Sequence, residues 1–101
     1  MFLHIGGNTY ILKGDIVAIL DKDTLNHSKK ANEIVQKLIE NGSLKGEEMD
    51  LDNVKSYIIT CKRRFNSKNR KLEKEYGLYL SSISSTTLLR RNEDMETRME
   101  V

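Results

Sequence analysis

The sequence predicts a single α+β domain: a mainly antiparallel sheet with one main helix and a short C-terminal helix. Three observations predict it. Short β-type strings flank glycine turns over residues 2–20, one helical apolar stripe occupies 31–39, and two strings rich in β-branched and aromatic residues lie at 57–61 and 76–83. With 101 residues, one core is the expectation, and two domains would each be short of apolar material. The 27 Leu, Ile, Val and Phe residues exceed the roughly 20% floor below which a charged chain stays disordered, so most of the chain is expected to fold.

Taken in order, Phe2-Leu3-His4-Ile5 and Thr9-Tyr10-Ile11-Leu12 read as two strands around Gly6-Gly7-Asn8, residues that accept the positive φ of a hairpin turn. Lys13-Gly14-Asp15 is a second turn. Ile16-Val17-Ala18-Ile19-Leu20 is apolar at every position instead of alternating, so it predicts a strand covered on both faces. Asp21-Lys22-Asp23-Thr24 breaks that pattern. Ser28 then caps a helix whose apolar positions Ala31, Ile34, Val35, Leu38 and Ile39 follow the i, i+3, i+4, i+7, i+8 spacing, and Asn41-Gly42 ends it. Residues 43–53 read as an acidic connection without the central Gly and terminal Glu of a calcium loop. The strings around Tyr57–Cys61 and Tyr76–Ile83 are expected to form a hairpin whose long tip is Arg63 to Glu75. Ser84-Ser85 precedes a short helix over Thr86–Arg91. The expected domain therefore spans 1–92, followed by a charged C-terminal tail over 93–101.

One sheet with a single helical layer leaves a face uncovered, and an all-apolar strand has no polar face to turn to water. Self-association is the expected remedy. No apolar run approaches the roughly 18 residues of a membrane span, and Met1-Phe2-Leu3-His4 begins as a strand rather than as a leader, so a cytoplasmic location without membrane contact is expected. A single cysteine excludes an internal disulfide. His4, His27 and Cys61 are too few for a structural zinc site and fall on separate elements, so no metal, cofactor or catalytic residue is expected, and the chain is read as a non-enzyme.

Charge is the informative feature. The net charge is +2, yet residues 53–75 alone carry eight cations against two carboxylates, while residues 21–52 carry five against eight. A concentrated cationic segment points to a polyanionic partner. Lys62, Arg63, Arg64, Lys68, Arg70 and Lys71 are the candidate DNA-binding residues of the tip, with Arg90 and Arg91 a second, weaker spot. The plain alternative is a solvated loop. The hydroxyl cluster Ser81-Ser82-Ile83-Ser84-Ser85-Thr86-Thr87 reads as helix capping, with phosphate binding at the helix start as its functional alternative. Neither a Gly-x-Ser-x-Gly elbow nor a Ser-x-x-Lys pair accompanies it, so serine catalysis has no support.

Met1-Phe2-Leu3-His4-Ile5-Gly6, Asp15-Ile16-Val17-Ala18-Ile19-Leu20-Asp21, Lys55-Ser56-Tyr57-Ile58-Ile59-Thr60 and the run from Leu80 to Arg91 together resemble the Rem family of extracellular-matrix (biofilm) regulators of Gram-positive bacteria, nearer its RemB branch than RemA. The resemblance covers roughly residues 1–92. It implies a LytTR-like fold and a cytoplasmic, non-enzymatic transcription regulator that forms a homo-oligomer, by analogy with RemA a ring, and binds double-stranded DNA. RemA-like members carry paired arginines ahead of the strand that begins here near Lys55; this chain has Asp52-Asn53 there, leaving Lys55 as the basic match. Members of the RemB branch have a short connection where this chain has its basic tip, which places the expected DNA contact on the inserted segment. The rival expectation is an oligomeric protein-protein adaptor without nucleic-acid binding.

Overall fold

In the computed structural model, which describes the backbone of residues 1–100 and the side chains of residues 1–93, β1 (Phe2–His4) and β2 (Tyr10–Leu12) form the expected antiparallel hairpin. Gly6 and Gly7, at φ +116 and +52, make a turn that a side-chain-bearing residue would strain. Alternation sends Leu3 and Ile11 inward and leaves Phe2, Tyr10 and Leu12 exposed.

β3 (Ile16–Asp21) follows a short 3-10 turn and pairs antiparallel with β5 (Ser56–Asn66), with a register shift between Ile16 and Ala18. Asp21 ends β3 and caps α1 (Lys22–His27) by accepting from the Asp23 amide through Oδ2. This helix occupies the segment expected to be a break: it is short and polar, so periodicity does not reveal it, but its cap is a standard one. Ser28 Oγ accepts from the Ala31 amide and starts α2 (Lys29–Glu40), which ends at Asn41 and the left-handed Gly42, φ +74. Only part of the predicted stripe is covered: Val35 is buried while Ile34 and Ile39 remain exposed.

Within residues 43–53 lies β4 (Leu44–Lys45), parallel to β6 (Lys71–Ser81), so the four-stranded sheet is mixed, in the order β3-β5-β6-β4. β5 and β6 are each 11 residues long and pair without interruption from Ser56↔Ser81 to Asn66↔Lys71. This corrects the expected long tip over Arg63–Glu75. Most of it is a two-stranded ribbon, and only residues 67–70 form the turn.

The sheet is covered on both faces. On one, Leu25 of α1 and Val35 of α2 pack with Val54, Tyr57, Ile59 and Leu78. On the other, Leu3, Ile5 and Ile11 from the β1–β2 hairpin pack with Ile58 and with Leu88 of α3 (Ser85–Glu100). The layer that was expected to come from a neighbouring subunit is thus supplied by the chain itself, because the hairpin folds back over the sheet. β3 is an edge strand, yet it is covered on both faces as its all-apolar sequence predicts: Ala18 and Leu20 pack on the α1–α2 side and Ile16 and Ile19 on the hairpin side, while Val17 is exposed. α3 is also longer than the short helix expected. With no Pro or Gly after Asn92, and with Glu, Met and Arg favouring helix, it runs into the segment expected to be a charged tail. The side chains from Asp94 onward, and Val101 altogether, lie outside the described residues.

Candidate nucleic-acid interface

The basic segment owes its order to pairing. Antiparallel register places Lys62 opposite Glu75, Arg63 opposite Lys74, Arg64 opposite Glu73 and Phe65 opposite Leu72. Two Asn side chains close the tip. The Lys68 amide donates to Asn66 Oδ1 and the Lys71 amide to Asn69 Oδ1, at 3.0 and 3.2 Å, while both Asn Nδ2 groups donate to Glu73 Oε1. Arg70 carries the left-handed φ of +53 that the reversal needs.

Because directly opposed residues share a face, the ribbon has two unlike sides. On the first, Lys62 and Arg64 face Glu75 and Glu73. Lys45 on β4 donates to Glu75 Oε1 at 2.9 Å, and Arg64 Nε lies 3.1 Å from Oε2. The Lys45 hydrogen bond, then the Arg64 and Lys45 charges, with a smaller share from Lys62, hold the Glu75 carboxyl below the usual carboxylate range against a weaker opposing effect of burial. Gly77 makes this bridge possible: a Cβ there would meet Thr60 Oγ1 at 2.7 Å and Lys45 Cδ at 3.3 Å, so the lysine stem crosses where a side chain would stand.

The second side carries Arg63 and Lys74 as a directly opposed pair of like charges, with no ion pair to either among the described residues. Beyond them, toward the tip, lie Phe65 and Leu72, 64% and 69% exposed. Toward the core, Cys61, Tyr76 and Val17 join Gly14, Asp15, Arg63 and Lys74 around a concavity of about 620 Å³. By strand parity this side continues the sheet face that α1 and α2 cover lower down.

The structure therefore gathers Lys62, Arg63, Arg64 and Lys71 on the ribbon and Lys68 and Arg70 in its turn, but assigns them different circumstances. Lys55 lies just before β5, at the end opposite the tip, roughly 36 Å away at strand rise. Arg90 and Arg91 sit on α3, where Arg91 donates to the His4 carbonyl at 3.2 Å. Lys74 and Leu72 did not stand out in the sequence; reading the basic stretch with a period of two would have set Lys74 beside Arg63.

The hydroxyl cluster has structural partners. Ser81, fully buried, donates to the Ile5 carbonyl at 2.6 Å and accepts from the Ile83 amide. Ser56 donates to the Ile83 carbonyl, Ser85 donates to Asp21 Oδ1, and Ser84 caps α3 by accepting from the Thr87 amide. His4 donates to the Gly7 carbonyl and His27 to that of Asp23, while Cys61 stands on β5 as a free, half-buried thiol. Among the described residues, no three His, Cys, Asp or Glu side chains are grouped to hold a metal, and no helix is long and apolar enough to cross a membrane.

No protein-family model matches the chain, and no curated protein matches it. The Rem resemblance accordingly rests on the residues quoted for it, and the site on its geometry.

Proposed function

We propose that the chain is a cytoplasmic, self-associating DNA-binding transcription regulator of extracellular-matrix (biofilm) genes, and that double-stranded DNA is met by the β5–β6 ribbon. The observation that carries this reading is the opposed Arg63–Lys74 pair. Like charges directly across a ladder cost stability, and although Asp15 lines the same concavity, neither cation forms an ion pair among the described residues. Phosphates on two sides of a groove would relieve them, while Lys68 and Arg70 at the turn extend the same positive track. β-ribbons are also among the elements that meet DNA in its major or minor groove.

Self-association is supported by what folding leaves uncovered. Met1, Phe2, Tyr10 and Leu12 form an exposed apolar surface on the outer face of the β1–β2 hairpin, and β3 presents an apolar sheet edge with no charged residue between Ile16 and Leu20. Repeated ribbons on an oligomer would add modest contacts through effective concentration. The same apolar surface is what an adaptor without nucleic-acid binding would use, and it is the second reading.

Light scattering should give several times 11.7 kDa. Fluorescence anisotropy with duplex DNA near 50 and 200 mM salt should show binding that falls steeply with salt. A monomer at micromolar concentration removes the oligomer, and no binding at the lower salt transfers the reading to the adaptor.

A further inference from the structure

The tip of the ribbon combines three properties. It carries an exposed apolar cross-strand pair, Phe65 opposite Leu72. Its carboxamides are already used: Asn66 and Asn69 accept turn amides through their oxygens and donate their nitrogens to Glu73. Cations bracket the apolar pair, Lys68 and Arg70 in the turn and Arg63 and Lys74 two residues toward the core on the same face. The bidentate adenine contact that an Asn reader makes needs a free amide edge, and both tip amides already have their oxygen and one N–H engaged within the turn. A tip built only to hold phosphates has no use for two large apolar side chains about two-thirds exposed to water.

Resting on the DNA-binding reading above, we propose that Phe65 and Leu72 act as a wedge: they enter a base step of duplex DNA from the minor groove, unstack it and bend the duplex, while the bracketing cations hold the phosphates on either side. The occupant of the apolar tip is then the base stack itself, selected by the positive charge around it. Reach is sufficient. Five residue steps from Cys61 to Asn66 carry the tip roughly 17 Å outward, against a groove roughly 7.5 Å deep. The pleat puts both side chains on one face, so they present a single edge. Wedges of this kind kink DNA by roughly 20–90° and act most readily at flexible pyrimidine–purine steps.

The test uses the full chain and a 30-base-pair duplex carrying a donor and an acceptor dye at its ends and 2-aminopurine beside a central TA step. Wild-type protein should raise energy transfer and brighten 2-aminopurine, less so when the TA step is replaced by an A-tract. The Phe65→Ala/Leu72→Ala variant should keep the wild-type thermal melt and salt slope, bind several-fold more weakly, and lose both signals. Because the chain has no Trp, Phe65→Trp supplies a lone indole at the tip, which duplex DNA should quench while bending persists. Binding by wild type without bending or unstacking overturns the wedge but leaves the DNA-binding reading standing, as does bending retained by the double variant. Absence of duplex binding overturns both, and a Trp emission shift with phosphatidylglycerol vesicles but not with duplex assigns the tip to a membrane surface instead.

Discussion

Replacing Arg63 and Lys74 together by Ala should move stability and DNA affinity in opposite directions. The two cations face each other across the ladder, and relieving one directly opposed like-charge pair stabilises a sheet by about 0.2–1 kcal/mol. For a domain of this size that is roughly 1–8 °C in melting temperature. Binding should weaken at the same time. If each cation neutralises one phosphate at about 0.9 in the log–log salt slope, the pair contributes about 1.8, so a fourfold rise in salt should cost the wild type about 12-fold more affinity than the variant. The control is Lys62→Ala/Arg64→Ala, which removes equal charge from the side where Glu75 already engages Arg64; its slope should change less and its melt should not rise. Differential scanning calorimetry and anisotropy at 50 and 200 mM salt give the two readouts. A melt that falls for Arg63→Ala/Lys74→Ala, or an equal loss of slope in both variants, would refute the two-sided ribbon.

Three further outcomes follow from the packing. Glu75→Gln removes a carboxylate whose folded pKa is depressed, so its contribution is present above the unfolded value near 4.5 and is lost as pH falls through the folded one; the wild-type advantage in urea denaturation should shrink below about pH 4.5, and the freed Arg64 and Lys62 should steepen the salt slope. Gly77→Ala should destabilise by about 1–3 kcal/mol through contact with Thr60 Oγ1 and the Lys45 stem, and Thr60→Ala should relieve part of it in a double-mutant cycle; additive losses would remove the steric account. Leu88→Ala, at a fully buried position joining α3 to the hairpin, should cost about 2–5 kcal/mol in urea unfolding, whereas a loss under 1 kcal/mol would mean that α3 is not part of the core.

Much of the architecture is written locally. The glycines of the first turn, the Ser28 and Ser84 caps and the β-branched core of β5 act within a few residues, so the elements they define are visible in the sequence. What depends on distant partners is not. The hairpin covers the second face of the sheet because Leu3 and Ile11 meet Ile58 and Leu88, which no local pattern announces, and the expectation that a neighbour must supply that layer fails for this reason. α1 has a cap but only Leu25 as a buried anchor. The basic stretch from Lys62 to Lys74 has the composition of a loop, yet register and two Asn-closed turns hold it as strands. Its cations were legible as a group; their division into a neutralised side and a free one was not, because Glu75 and Lys45 join it only through the fold.

The most direct test of the ribbon as the DNA-binding element is to map amide chemical-shift changes on titrating short duplex DNA into the protein. The account predicts changes concentrated in residues 61–76, largest for Arg63, Phe65, Leu72 and Lys74, with the outer face of α2 unaffected. Changes confined to Lys55, Arg90 and Arg91, with the ribbon silent, would contradict it.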